Sequence, residues 1–189
     1  KHGIARVHAT LDELVADPEV DVVYVATPHP LHRAQALTAI AAGKHVLIEK
    51  PIALTATDAR EILDAGRAAG VLVAEAMWTR YLPQADVIRQ VLDAGLLGKV
   101  DLVRADFGSL VAFDPASRMF DPALGGGAML DLGVYIVAFA SSVIGPPTTI
   151  RAVGTVAPTG VDDSATIALK TDAGAQAALT TTFGAVTPI

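Results

Sequence analysis

Four groups of residues carry side chains suited to chemistry. In Glu49-Lys50-Pro51 a carboxylate and an ammonium follow directly on the apolar run His45-Val46-Leu47-Ile48. Pro51 biases Lys50 away from the helical region and offers no backbone N–H. A charged pair is thereby held extended at the carboxyl end of a strand, where open α/β sheets bind their ligands. Thr27-Pro28-His29-Pro30 ends an earlier apolar run, and His32 follows it closely. Trp78, the one tryptophan of the chain, and Arg80 follow a third apolar run, residues 71–74. Asp131 and Tyr135 are four apart in an apolar stretch, which puts them on one face of a helix. A buried Asp beside a Tyr is expected where the two line a polar pocket. Each group also has an ordinary reading. Glu49-Lys50 is then a solvated loop pair, His32 a solvent-facing helix start, Trp78 interdomain packing, and Tyr135 a hydroxyl reaching water.

The elements that must position these residues follow from periodicity. Thr10-Leu11-Asp12-Glu13 has the form of a capping box and predicts a helix over about 11–17. Residues 21–26, DVVYVA, read as a central parallel strand. Residues 31–42 read as a helix with Leu31, Ala34, Leu37 (or Thr38) and Ala41 on one face, closed by Gly43. The strand ending in Glu49 comes next. A helix over 56–69, capped by Thr55, puts Ala59, Ile62, Leu63 and Gly66 on one side, and a third strand follows. Strand, helix, strand, helix, strand predicts a doubly wound parallel sheet.

The pattern then changes. Residues 83–94 read as an amphipathic helix with Val87, Ile88, Val91 and Leu92 inward. A half-exposed strand lies within 99–109, a loop over 114–123, and an apolar helix over about 128–143 behind Gly125-Gly126-Gly127. From Thr148 onward, turns at Pro158-Thr159-Gly160 and Asp172-Ala173-Gly174 divide three strands rich in Thr, Val and Ala. The fold class is α/β: a partial Rossmann parallel sheet, residues 1–77, followed by an α+β domain with a mainly antiparallel sheet, residues 78–189.

Composition narrows the function. A chain of 189 residues, 52% hydrophobic, can bury a real core. A net charge of −6 without a basic tract argues against nucleic acid. No cysteine means no disulfide, no thiolate metal site and no cysteine nucleophile, and it suits a reducing, cytoplasmic location. No HxxxH pair or carboxylate cluster points to a metal. No apolar run reaches the roughly 18 residues a membrane span needs, so no membrane is expected. The first residues, KHGIARVHATLDEL, hold no signal-peptide apolar core and read as mid-domain sequence. His2, His8 and His45 have no partner that the sequence names.

Three segments in order, ATPHPLHRAQALTAIAAGKHVLIEKPIAL, VAEAMWTRYLP and GGGAMLDLGVY, resemble the GFO/IDH/MocA oxidoreductases. Within that family the pattern is similar to the dihydrodiol dehydrogenase and glucose–fructose oxidoreductase branch. The resemblance covers essentially the whole chain. It implies a Rossmann domain that binds NAD or NADP, with the branch favouring NADP, and an α+β domain holding the substrate pocket and often the oligomer contact. It places Ala26, Thr27, Pro28 and His29 against the cofactor and His32 near its nicotinamide half. It makes Lys50 catalytic, polarising the substrate oxygen or acting on a neighbouring phenol. Glu49 then binds the cofactor ribose or orients the loop, with Pro51 beside it. Trp78 stacks on the nicotinamide or walls the substrate pocket, with Arg80 nearby. Many members carry His where this chain has Tyr135, whereas the branch carries Tyr. Tyr135 is then the general acid/base, with Asp131 orienting substrate hydroxyls.

The resemblance thus implies an NAD(P)-dependent dehydrogenase or reductase of a secondary alcohol on a sugar, cyclitol or dihydrodiol, working as a homo-oligomer. The family's GxGxxG unit and the strand whose last residue separates NAD from NADP are not in this chain. Gly125-Gly126-Gly127 follows no buried parallel strand and does not replace it. The expectation is therefore an internal piece of a longer protein, with its last sheet ending early at Ile189. Two further functions compete: a non-catalytic dinucleotide or sugar sensor on the same scaffold, and an inactive fragment. Retention of both Lys50 and Tyr135 favours the enzyme.

Overall fold

The computed structural model describes residues 3, 4 and 6–188; His2 and the chain ends at Lys1 and Ile189 lie outside the described residues. Two compact units make up the chain, Lys1–Ala76 and Met77–Ile189.

In the first unit Thr10 starts α1 (Leu11–Ala16) by accepting the Glu13 N–H at 3.2 Å, while Glu13 reaches back to the Ala9 N–H at 2.9 Å. The strands β1 (Val22–Val25), β2 (His45–Ile48) and β3 (Val73–Glu75) form a parallel sheet in that order. Val23, Val46 and Val73 lie side by side across it. A tight turn, His29–Leu31, leads into α2 (His32–Ala41), and α3 (Ala56–Ala69) connects β2 to β3. Thr55 caps α3 by accepting the Asp58 N–H at 3.1 Å. Val23, Val25, Val46 and Ile48 share one core with Ala36, Ala39 and Ile40 of α2 and Ile62 of α3. Both helices therefore cover one face of the sheet. Doubly wound packing would cover both, but Val22 and Tyr24 on the other face are 55% and 53% exposed.

Two helix faces differ from the periodicity. In α2 the buried stripe is His32, Ala36, Ala39 and Ile40, whereas Leu31 falls in the preceding turn and Ala34 and Ala41 are exposed. The cause is His32, a polar residue whose ring bonds admit it to the core. In α3 Ile62 and Gly66 are buried as expected, with Ala59 and Leu63 at the rim.

In the second unit a short turn, Trp78–Tyr81, precedes α4 (Pro83–Asp93). None of the residues of α4 is buried, and Val87 and Ile88 are 57% and 40% exposed. Val91 and Leu92 are half-buried, so among the described residues the expected stripe is covered only in part.

Strands β4 (Leu102–Gly108), β5 (Thr149–Val156), β6 (Asp162–Lys170) and β7 (Gln176–Thr182) form one sheet in the order β4-β7-β6-β5. The last three are antiparallel neighbours, joined by the two expected turns. β4 adds to β7 in parallel, a pairing that strand periodicity does not reveal. Against one face lies α5 (Val134–Ile144), with Ile136 and Ala140 packed on Val103, Ile167, Leu169, Ala177 and Leu179.

The helical stretch Pro122–Ile144 is, by length and composition, long and apolar enough to cross a membrane, against the expectation that no such stretch exists. Here it is broken by Gly125, Gly126 and Gly127, carries Asp131, and buries Leu132, Ile136 and Ala140 within the unit.

The end of α1 generates a test. The Asp17 carboxylate is almost buried and receives Arg6, the Glu19 N–H at 2.9 Å and His8 at 3.2 Å. The Arg6 hydrogen bond, and after it the Glu19 N–H, hold Asp17 below the usual carboxylate range. A carboxyl whose folded value is depressed stabilises the fold fully above its unfolded value, about 3.9, and loses that contribution as pH falls through the folded value. Urea midpoints should be flat from neutrality to about pH 5 and then drop more steeply for the parent than for Asp17→Asn. Equal acid slopes for the two proteins would contradict this role.

Candidate functional site

In the first unit the loop after β2 is the best-anchored piece of irregular chain. The Lys50–Pro51 peptide bond is cis. Glu49 and Lys50 are half-buried and Pro51 is buried. One Glu49 oxygen accepts the Tyr24 hydroxyl and the other the Lys50 N–H at 3.1 Å. Tyr24 stands on β1 opposite Leu47, and its ring runs along the open face toward the strand ends. The bond to Glu49, followed by burial and the carboxylate's charge, holds the Tyr24 phenol above the ordinary tyrosine range. The Ile52 N–H donates to Glu75 at the end of β3, at 2.8 Å.

His32 ties this loop to the one after β1. It is fully buried, with Nδ1 2.9 Å from the Pro51 carbonyl oxygen and Nε2 2.8 Å from that of Thr27. Thr27 in turn donates its hydroxyl to Gln35 at 2.7 Å. His32 therefore does not face solvent, and both of its ring nitrogens are engaged by backbone carbonyls. It holds both loops from behind. Ala26 and Pro28 are exposed, and His29 is half-buried with its ring 5.7 Å from that of His32.

In the second unit the Trp78 indole N–H donates to the Tyr135 hydroxyl at 3.0 Å. The two rings meet edge to face at 6.0 Å, and Phe107 of β4 lies 5.5 Å from Tyr135 on another side. Trp78 is 54% exposed and Tyr135 half-buried, so this aromatic group borders solvent. Arg80 is exposed in the same turn as Trp78. Asp131 is buried in a π-helical turn, Met129–Gly133, that leads directly into α5. Such widened turns are frequent at functional sites. Arg118 approaches the Asp131 carboxylate at 3.2 Å.

Each unit thus assembles its own part of the expected set. Thr27, His32 and Pro51 meet in one, together with Glu49 and Lys50. Trp78 and Tyr135 meet in the other. Tyr24, Glu75, Phe107 and Arg118 are added by the structure. Sequence distance hides all four. Of the three histidines left without a partner, His2 lies outside the described residues, His8 meets Asp17, and His45 Nδ1 accepts the Leu72 N–H at 2.9 Å. Among the described residues no group of three or more His, Asp or Glu side chains could hold a metal ion.

A parallel sheet with a pinned strand-end loop, followed by a mixed sheet carrying Asp131 and Tyr135, is matched by known proteins. The oxidoreductase family with an NAD-binding Rossmann fold matches residues 2–77, and the GFO/IDH/MocA C-terminal domain matches residues 85–188. The chain belongs to the GFO/IDH/MocA oxidoreductase family. It is 42% identical to the trans-1,2-dihydrobenzene-1,2-diol dehydrogenase of Macaca fascicularis over 90% of this chain and 51% of that protein. The Bos taurus protein of the same name is 40% identical over 98% of this chain and 55% of its own length. The chain therefore spans about half the length of the curated relatives it matches. Among solved structures, the aldose-aldose oxidoreductase from Caulobacter crescentus complexed with glycerol is similar with a TM-score of 0.86 and 31% identity, over 93% of this chain and 54% of that one. Levoglucosan dehydrogenase in complex with NADH and levoglucosan is similar with a TM-score of 0.87 and 25% identity, over 94% and 52%.

The His32 staple is testable through stability. Replacing it with Ala removes both ring contacts to the Pro51 and Thr27 carbonyls and leaves a cavity in the core. His32→Ala should lower the unfolding free energy by about 2–4 kcal/mol, read from urea denaturation. A variant within experimental error of the parent would show that the two ring bonds do not hold the loops.

Proposed function

We propose that the protein carrying this chain is an NAD(P)-dependent oxidoreductase that moves a hydride between nicotinamide and a secondary alcohol or carbonyl of a sugar, cyclitol or dihydrodiol. The observation that carries this reading is Tyr135, a phenol at the edge of solvent held by the Trp78 N–H, with Asp131 four residues before it. Family membership supplies the rest. The bound dinucleotide would take up or deliver the hydride. The donor set fits such a group: Glu49 is a carboxylate fixed at a strand end by Tyr24 and its own neighbouring N–H, an acceptor ready for ribose hydroxyls. Ala26, Thr27, Pro28 and His29 form the adjoining strand-end loop, in the position where open α/β sheets receive a ligand.

In this reading the phenolate form of Tyr135 accepts the alcohol proton as the hydride leaves carbon, and the phenol returns it in the reverse direction. An N–H aimed at the phenolic oxygen complements the negative charge that collects there when the proton departs. Lys50 supplies positive charge to the reacting oxygen, Asp131 orients the substrate hydroxyls, and Trp78 walls the pocket with Arg80 beside it. Of the two dinucleotides, the resemblance to dihydrodiol dehydrogenases favours NADP. A cytoplasmic location accompanies the reading.

In the active enzyme, Lys50→Ala and Tyr135→Phe should each lower turnover roughly 10²-fold or more. Cofactor affinity should fall more for Lys50→Ala, which alters the nucleotide unit. The double variant should lose much less than the product of the single losses, as residues acting in one step do. A Tyr135→Phe enzyme with unchanged turnover would end this mechanism.

We also infer a homo-oligomer formed through the sheet face opposite α5. That face exposes Thr166, Ala168, Ala178 and Val153, the last 74% exposed, with Arg104 and Arg151 flanking the two alanines in register. Ala168→Arg should convert the oligomer to monomer in light scattering. A parent that is already monomeric would overturn the assignment.

A further inference from the structure

The triglycine at 125–127 is not a phosphate loop, and its surroundings give it another use. Gly126 sits where a Cβ would lie 2.7 Å from the Met119 carbonyl oxygen, 2.9 Å from that of Arg118 and 3.0 Å from that of Asp121. All three are backbone atoms, so no side-chain movement could relieve the overlap. The Gly126 N–H donates to the Asp121 carbonyl at 3.0 Å and the Gly127 N–H to that of Met119 at 2.9 Å. On its other side Gly127, at φ +118°, leaves space for Asp162, whose carboxylate caps the Met129 N–H at 2.7 Å.

What the glycines receive is a tight turn, residues 117–121. Ser117 accepts the Phe120 and Asp121 N–H groups at 2.9 and 3.0 Å. Phe120, 3% exposed, anchors the turn between Phe113 and Phe183 at ring distances of 5.1 and 5.5 Å. With Phe120 buried, Arg118 is carried to the Asp131 carboxylate at 3.2 Å. The Arg118 side chain is 59% exposed and that of Asp131 only 12%. A carboxylate taken this far out of water depends on the partner that accompanies it. Arg is suited to that task because its planar fork stays charged and fixes direction.

We propose that Arg118 is a positioning residue that orients the Asp131 carboxylate toward substrate hydroxyls, and that Gly126-Gly127 is the seat that delivers it. This rests on the reading of Asp131 as the group that orients substrate. Arg118 acts through Asp131 and makes no contact with the reacting atoms.

The test compares Arg118→Ala, Arg118→Lys, Gly126→Ala, Asp131→Asn and the pair Arg118→Ala/Asp131→Asn in the active enzyme, with melting temperature recorded for each. The substrate is a polyol or sugar alcohol that the parent turns over. Arg118→Ala should raise its KM about tenfold, the scale of a displaced positioning group, with cofactor Kd changed less than about twofold. Arg118→Lys should recover most of the loss by restoring the charge. Gly126→Ala should mimic Arg118→Ala, since its Cβ displaces the turn. On the Asp131→Asn background, Arg118→Ala should cost nothing further. Losses that multiply in the pair, or a cofactor Kd that rises together with KM, would overturn the inference. Impaired Asp131→Asn beside an unimpaired Arg118→Ala overturns it while leaving the assignment of Asp131 intact. An Asp131→Asn enzyme equal to the parent overturns both.

Discussion

Backbone carbonyls that leave water need polar partners, and around the cis Lys50–Pro51 bond that partner is a side chain. Pro51 is buried and its carbonyl points inward, away from any strand. His32 meets it with one ring nitrogen and the Thr27 carbonyl with the other. A single imidazole thus fixes the two loops that follow adjacent parallel strands. The position of Lys50 depends on this, because a lysine at a strand end is useful only if its backbone does not wander. Two further bonds complete the restraint, Tyr24 to Glu49 from β1 and the Ile52 N–H to Glu75 at the end of β3. Every strand of the sheet therefore contributes to holding one short loop.

The second unit solves the same problem by different means. Tyr135 is held by rings, with Trp78 edge-on and Phe107 tilted against it, and by one indole N–H. Asp131 sits in a π-helical turn, where the widened backbone interrupts the regular α-helical ladder. Such a turn is retained when neighbours over-determine it. Here Asp162 caps the first N–H of the turn, while Leu132 packs into the cluster of Phe120, Ala128 and Phe183. Packing and capping, rather than helix propensity, decide where the carboxylate points.

Much of this architecture was legible. Caps at Thr10 and Thr55, the strand ahead of Glu49 and both hairpin turns followed from local rules, because each is decided by residues within a few positions of one another. The faces of α2 and α4 were not. Hydropathy counts His32 as polar and Leu31 as apolar, yet the histidine is buried and the leucine is 46% exposed. In α4 the apolar stripe is only partly covered among the described residues, with Val91 and Leu92 half-buried and Val87 and Ile88 exposed. The parallel pairing of β4 with β7 was hidden for a related reason: it joins strands far apart in the chain, and neither carries the continuous apolar run that marks a buried parallel strand.

The candidate site divides along the same line. Lys50, Asp131 and Tyr135 are visible by residue type, because their chemistry lies in their own side chains. The groups that hold them are visible only through contact. Tyr24 lies 25 positions from Glu49, Glu75 lies 23 from Ile52, and Trp78 lies 57 from Tyr135. Even Arg118, 13 positions from Asp131, reaches it only because a pair of glycines admits the turn that carries it. No local period links such pairs, and side-chain rotamers are free in the sequence until the fold removes the alternatives. The information that makes a lysine or an aspartate useful is therefore carried by residues that look ordinary: a half-exposed tyrosine, a loop arginine, two glycines. Their substitution would leave the recognisable motifs intact while removing the geometry on which those motifs act.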